Sequence, residues 1–408
     1  MPEPVKLETG QRDGRELTDR SWDVAVVGAG PAGSIAALHL ARQGHKVLVL
    51  DKEEFPREQV CGDALIADAV RTLERMGCND EVQSRGQDVG CAVVFSPSRI
   101  AFQVSGHFIT LKRRILDAIL ARRAVDAGAS FFRAAVSECT TEANGSCTVS
   151  LRQLGIHVRA KAIIVATGAD IRLVRDALVD DPLPPSAVAM RCYVKSSYAI
   201  DEMLISYDRS ILPGYAWIFP LGKGEYNVGC GYFYRGGTRH TPNLLRMFEV
   251  FCQQFPPAAR LIKGASVHTP MKGATLRCGL GELSAGPAGN VVAVGETIGA
   301  TFPFTGEGIG KAMETGELAA KLLDRCLLRG DFSELQLYPS LVTSVLGDKY
   351  LGYRVAQRWL SHAWLADLLA KRMKTSPFLR DAASGMLNET IDPRDIFSLH
   401  GILRSFLE

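Results

Sequence analysis

The stretch Asp23–Asp51, DVAVVGAGPAGSIAALHLARQGHKVLVLD, reads as strand, tight glycine turn, helix and second strand. Val24 to Val27 is a short apolar run with β-branched residues, and Ser34 to Arg42 then takes up helical spacing. Val47 to Leu50 is a second buried strand, closed by an acid. Gly28 lets the chain turn sharply, Gly30 lets backbone N–H groups approach a pyrophosphate, and Gly33 lets helix and strand pack closely. Pro31 and Ala32 open the helix, whose N-terminus adds partial positive charge under such a phosphate. Asp51 lies eighteen residues after Gly33, where an acid accepts hydrogen bonds from a ribose. A lone GxGxxG says little. With strand, helix, second strand and acid all in order, the stretch is a dinucleotide-binding unit.

Around it, 408 residues are enough for two or three domains with sizeable cores. The apolar fraction of 47% and charged fraction of 22% describe a soluble globular chain, and a formal charge of +3 gives no sign of a nucleic-acid binder. Ten cysteines stand at 61, 78, 91, 139, 147, 192, 230, 252, 278 and 326, with no CxxC among them. That spacing suits neither a metal site nor a small disulfide scaffold, and it points to a reduced, cytoplasmic interior. No signal peptide precedes the first strand, and residues 1–20 read as a polar, disordered tail. No apolar run reaches the ~18 residues that would span a bilayer.

Beyond Asp51, Lys52–Gly62 is a loop in which Lys52 is adjacent to the ribose acid. Arg57 there reaches a phosphate or ribose, or is simply solvated. Cys61-Gly62-Asp63 precedes a helix expected over Ala64–Met76; the cysteine is either a thiol of lowered pKa or a small buried residue. Gly86–Phe108 reads as two or three strands, and a helix opens at Lys112-Arg113-Arg114 and stops at Gly128. Glu138–Val158 alternates around Asn144-Gly145 as a hairpin, and Ala162–Ala166 returns to the first sheet. Residues 186–285 lack the βαβ rhythm and read as an inserted antiparallel sheet. Val291–Val294 is one more buried strand, ending at Gly295-Glu296. The loop Thr301–Gly308 follows, then a helix from Ile309 to Leu328 and a helical remainder. The fold expected is α/β: a Rossmann-like dinucleotide-binding domain over 21–85, 110–185 and 286–330, a β-sheet substrate domain over 86–109 and 186–285, and helices over 331–408.

The order GAGPAG, LKRRILDAIL, ATGAD and GETIGATFPFTGEGIGKAMETG resembles FAD-dependent oxidoreductases shaped like para-hydroxybenzoate hydroxylase. Within them, QVCGDA, PGYAWIFPLGKGEYNVGCG and SPFLRDAASGMLNETIDPRD resemble the geranylgeranyl reductase family, over roughly residues 22–395. The resemblance implies that Gly28, Gly30 and Gly33 hold the FAD pyrophosphate and Asp51 its adenosine ribose. It places Arg113 in a second phosphate-binding position, Gly295 and Glu296 at the ribityl chain, and Gly306, Gly308 and Ile309 at a helix N-terminus beside the flavin pyrimidine ring. That end of a helix stabilises negative charge on reduced flavin. The family usually has Gly-Asp where this chain has Gly295-Glu296.

The same resemblance implies reduction of C=C bonds in isoprenoids, or in the prenyl tails of lipids and quinones. The reductant would be a nicotinamide, NADH or NADPH, visiting transiently, or a separate electron donor, since no second GxGxxG is present. Tyr215, Trp217 and Phe219 alternate along one strand and so share a face, as an apolar slot over the isoalloxazine or as one face of a sheet core. Cys61 is the family's candidate proton donor. His240 and His268 have no motif around them. Hydroxylases and halogenases share this FAD fold, although a halogenase would carry WxWxIP where this chain has Tyr215-Ala216-Trp217-Ile218-Phe219-Pro220. Between Lys349 and Lys374, six basic residues face one acid, Asp367, and are interleaved with Trp359, Trp364 and leucines. This is either a peripheral membrane contact or helices packed on the FAD domain with a solvated basic face.

Overall fold

The computed structural model describes residues 15–18, 20–143, 145–175, 184–212, 214–234, 242–281 and 288–407, so that residues 1–14, Asn144 and His240 lie outside it. The first sheet is built on Trp22–Val27, which pairs in parallel with Val47–Asp51 on one side and Ile156–Val165 on the other. Ser130–Arg133 extends it beyond Val47–Asp51. The far edge of Ile156–Val165 is shared: its first half takes the antiparallel ribbon Glu138–Thr141 and Cys147–Leu151, and its second half takes Val291–Ala293 in parallel. Such strands are buried on both faces, which is why they read as continuous apolar runs.

The helix Pro31–Arg42 covers this sheet with Gly30 as N-cap and Pro31 at its first position, where a missing N–H costs nothing. Its small residues let the helix Ile309–Arg329 approach closely: a Cβ on Gly316 would collide with the Ala32 carbonyl oxygen. The helix Arg113–Asp126 packs alongside, and Gly128 follows its C-cap with φ +111°.

The second sheet runs in the order Ala265–His268, Ala187–Ser196, Glu225–Phe233, Tyr215–Pro220, Met203–Ser206, Gln87–Phe95, Ala101–Thr110 and Ala64–Leu65, with Lys272–Leu276 also on Ala187–Ser196. It departs from the sequence reading in three ways. Met203–Ser206 lies parallel to Gln87–Phe95, so the sheet is mixed at that junction; the two strands come from separate stretches of chain with no hairpin to impose direction. Two helices, Leu244–Gln254 and Pro256–Lys263, cover its outer face and bury Phe251, Phe255 and Leu261 against Ile218 and Val228. The helix expected from Ala64 starts at Ala67 instead, because Ala64 and Leu65 are drawn into the sheet against Thr110 and Ile109. The tail reading also changes at its end. Arg15–Thr18 is helical and Leu17, 2% exposed, packs into the first core while its carbonyl accepts from the Trp22 indole.

The C-terminal residues form helices Tyr338–Leu360, Ala363–Thr375, Pro377–Leu387, Pro393–Ile396 and Leu399–Leu407. Tyr350 donates to the Ala300 carbonyl and Tyr353 stacks on Phe302 at 4.1 Å, tying the first of them to the loop before Ile309. No helix among the described residues is long and apolar enough to cross a membrane.

Candidate active site

A cavity of about 980 Å³ runs between the two sheets. Every residue singled out from the sequence as catalytic or cofactor-binding lines it, except Gly33 and Gly295, which sit behind its wall. At one end lies the glycine turn. Gly28 has φ +102°, and a Cβ there would collide with the Ala166 carbonyl of the neighbouring strand; a Cβ on Gly33 would collide with the Gly28 carbonyl. Gly30 is different. Only Arg57 Nη2, at 3.4 Å, lies near its missing side chain, so it is open to a ligand rather than to the fold. Asp51 is almost fully buried, and its two oxygens accept from Ala29 N at 2.8 Å and Glu53 N at 2.9 Å. Lys52, exposed, stands at the rim.

Arg57 spans the turn. Its Nη2 is 3.2 Å from Asp117 Oδ2, its Nε is 3.9 Å from Asp51 Oδ2, and that Nε is buried without a hydrogen-bond partner. Asp117, fully buried, also receives both donors of Arg113, at 2.7 and 2.9 Å. An orphaned guanidinium N–H beside an open helix N-terminus fits a pyrophosphate group.

Behind the lining residues Cys61, Arg113 and Trp217 lies a network that the sequence reading did not anticipate. Asp63, fully buried with φ +65°, accepts from Arg113 N (3.0 Å), Tyr193 Oη (2.8 Å) and Asn227 Nδ2 (2.8 Å). Burial lifts its carboxyl to about 6. Asn227 also donates to the Cys61 carbonyl at 2.7 Å and accepts from the Trp217 indole at 2.9 Å. One amide therefore holds both the cysteine loop and the aromatic wall. Asn227 carried no signal in the sequence, because its partners Cys61 and Asp63 come from 166 and 164 residues away along the chain. Of the two readings left open for Cys61 the buried one fits: burial raises its thiol, against the opposing charge of Arg113, so that it holds its proton. The helix whose field was to lower it begins only at Ala67.

At the far end Tyr215, Trp217 and Phe219 share one face of Tyr215–Pro220, with ring centroids 5.6 and 6.3 Å apart. Gly62 passes beneath them, where a Cβ would come within 3.2 Å of Phe219. Facing the wall is the N-terminus of Ile309–Arg329, reached through Gly306 and Gly308. Gly306 has φ +72°, and its missing Cβ lets the Tyr215 hydroxyl approach and donate to the Thr305 carbonyl at 2.5 Å. Gly295, φ +67°, packs on Ala32, while Glu296 points into the cavity, accepts from Arg277 N at 3.1 Å, and is raised to about 7 by burial. His268 is exposed, on the strand Ala265–His268.

Comparison with known proteins bears on this arrangement. A family model for the FAD binding domain matches residues 21–179. A menaquinone reductase of Mycobacterium tuberculosis is 34% identical over 358 residues, 83% of each chain. The chain belongs to the geranylgeranyl reductase family. Digeranylgeranylglycerophospholipid reductase 1 of Methanopyrus kandleri is 30% identical over 76% of this chain and 83% of that one. Among solved structures, a geranylgeranyl bacteriochlorophyll reductase-like protein from Thermoplasma acidophilum superposes with a TM-score of 0.74 at 23% identity, covering 95% of this chain and 96% of that one. A flavin-dependent brominase reaches 0.73 at 17% identity, covering 95% and 98%, which shows the shared fold alone. As a member of the geranylgeranyl reductase family the chain is an FAD-dependent oxidoreductase of the reductase kind.

Proposed function

We propose that the chain saturates a carbon–carbon double bond in the prenyl tail of a quinone or lipid. The observation that carries this reading is the aromatic wall of Tyr215, Trp217 and Phe219, standing across one cavity from a helix N-terminus and continuous with the glycine turn. An apolar chain held against that wall lies where a flavin ring would extend from the turn, and hydride transfer needs its donor and acceptor in near contact. The relatives named above as prenyl-lipid and menaquinone reductases support it. Bound here, FAD in its reduced form would supply the hydride, with a nicotinamide or a separate electron donor as the source of electrons.

In this reading Gly28, Gly30, Pro31, Ala32 and Arg57 take the pyrophosphate, with Gly33 and Gly295 shaping the backbone beneath. Asp51 takes the ribose and Lys52 flanks it; Arg113 orders the second phosphate side through Asp117. Glu296 meets the ribityl chain with the oxygen that Arg277 N leaves free, and Gly306, Gly308 and Ile309 present the helix end to the pyrimidine ring. Trp217 is a wall for the substrate. Tyr215 and the protonated thiol of Cys61 stand at the alkene as acids. The substrate enters from a membrane surface, which the C-terminal helices touch through Trp364 (67% exposed), Leu399 (75%) and Leu403 (65%), with Arg358, Lys371 and Lys374 exposed to either side of Trp364 in sequence.

The test is anaerobic incubation of dithionite-reduced enzyme with prenylated quinones, prenyl lipids and prenyl diphosphates, read by mass. A gain of two hydrogens is expected. Incorporation of one oxygen in air, with no anaerobic turnover, would replace this reading with a hydroxylase.

A further inference from the structure

The strand Ala187–Ser196 turns Met190, Cys192 and Val194 into the core beneath the two covering helices, so Ala187, Ala189, Arg191 and Tyr193 share its opposite face. Ala187 and Ala189 line the cavity. Arg191, next on that face, is fully buried. Its Nη2 donates to Glu58 Oε2 at 3.0 Å and to the Gln59 carbonyl at 3.2 Å, while its Nε has no hydrogen-bond partner. Glu58 is an exposed residue of the cavity lining, three places before Cys61 in the loop Lys52–Asp63. Two more cations converge on it. Lys272 Nζ stands 3.8 Å from its Oε2 and Arg114 Nη1 3.9 Å from its Oε1, too far for hydrogen bonds, and both side chains are exposed. Among the described residues none of these three cations pairs with a second carboxylate, whereas the neighbouring Lys112 is matched by Glu225 at 2.5 Å.

Two features of this cluster cost stability as the chain stands. Arg191 and Lys272 lie directly opposite each other in the antiparallel pairing of Ala187–Ser196 with Lys272–Leu276, which sets like charges side by side. The buried Arg191 Nε–H has been taken out of water without an acceptor. Both costs fall when an anion with more charge and more acceptor oxygens than a carboxylate sits among the cations, and a phosphate has both. We propose that Arg191, Lys272 and Arg114 form a seat for a phosphate group at the edge of the cavity, held by Glu58 until a phosphorylated ligand displaces it. Arg191 and Lys272 are fixed on paired strands, whereas Glu58 is loop-borne and exposed, so its carboxylate is the member that gives way. A ligand seated there by its phosphate extends past Ala189 and Ala187 into the cavity. The seat is drawn from charge and geometry; its ligands rest on the alkene-reductase reading, in which two molecules bring a phosphate to the cavity. One is the nicotinamide dinucleotide that reduces the flavin, for which the chain has no second glycine turn. The other is a prenyl lipid with a phosphate head group.

The test is calorimetric titration of inorganic pyrophosphate into the FAD-loaded enzyme, whose dinucleotide site is already filled. Glu58→Gln should tighten binding about tenfold, because the amide oxygen still accepts from Arg191 but no longer competes by charge. Lys272→Glu/Arg114→Glu should weaken it by about tenfold or more. Arg191→Gln should abolish it, and the exposed pair serves if that buried variant does not fold. Lys371→Glu/Lys374→Glu, an equal change of net charge on the helix Ala363–Thr375, should bind as the wild type does. Displacement of pyrophosphate by NADPH or NADH assigns the seat to the reductant, and displacement by a prenylated glycerol phosphate assigns it to the substrate's head group. No pyrophosphate binding in either wild type or Glu58→Gln, unchanged binding in Lys272→Glu/Arg114→Glu, or displacement by none of these ligands would overturn the proposal. Binding is read without turnover, so a failure of the alkene-reductase reading in the anaerobic assay is a separate result.

Discussion

Glu296 shows how much a single residue in this cavity contributes to the protein's response to pH. Its carboxyl rises from 4.5 to about 7 because the folded chain buries it. Between those values the native state binds more protons than the unfolded state, so stability is highest below the unfolded value and falls as pH rises through the folded one. Asp63, raised to about 6, and Glu307, raised to about 8, have the same sign. In the flavin-free protein these three groups should therefore contribute stability that is lost between about pH 4 and pH 8. Glu296→Gln should remove up to about 3 kcal/mol of that loss, read as a flatter curve of urea midpoint against pH. A variant whose curve parallels the wild type would place Glu296 in a solvated setting. The acid itself was legible in the sequence, directly after Gly295, where the family resemblance places the ribityl contact. Asn227 was not, because its importance lies in partners that only the folded chain assembles: the Trp217 indole, the Cys61 carbonyl and the Asp63 carboxylate.

At the level of elements, the strand–turn–helix of Asp23–Arg42 was readable because each glycine answers a local demand. The structure separates two kinds of demand. Gly28 and Gly33 are required by backbone collisions inside the fold, whereas Gly30 has only Arg57 near it. Gly30→Glu should accordingly fold, with an unchanged circular dichroism spectrum, and fail to take up FAD, because the new carboxylate sits beside Arg57 in place of a phosphate. Stoichiometric flavin absorbance after reconstitution would contradict this. Gly28→Ala should instead lose the fold. Elements fixed by long-range pairing were less readable. Ala64 and Leu65 carry helix-compatible residues, yet the free edge at Ile109 and Thr110 takes them as strand. Propensity is a weak prior where a sheet edge offers hydrogen bonds.

Across the whole molecule, the cavity exists because two sheets, neither of which encloses it alone, meet over the loop Lys52–Asp63. The C-terminal helices are tied to the loop before Ile309 by the Phe302–Tyr353 stack, and Glu389 pairs with Lys311 and Lys349. Their aromatic residues divide between the two uses left open by the sequence. Tyr350 and Tyr353 are buried and Trp359 packs partly into the core, while Trp364 is exposed. A membrane contact should therefore depend on Trp364 and on Leu399 and Leu403. Flotation with anionic vesicles at low salt should be lost in Trp364→Ala/Leu399→Ser/Leu403→Ser with the circular dichroism unchanged. Absence of flotation in the wild type would end that part of the account.

The central claim is that the tail of the substrate, and not a quinone ring, receives the hydride. Its most direct measurement is anaerobic reoxidation of the reduced flavin, followed by absorbance, on mixing with a prenylated quinone and with the same quinone bearing a fully saturated tail. Reoxidation with the unsaturated tail alone, with one product of two added hydrogens per flavin, is the result predicted. Equal reoxidation by the saturated-tail quinone would show electrons passing to the ring and would contradict the account.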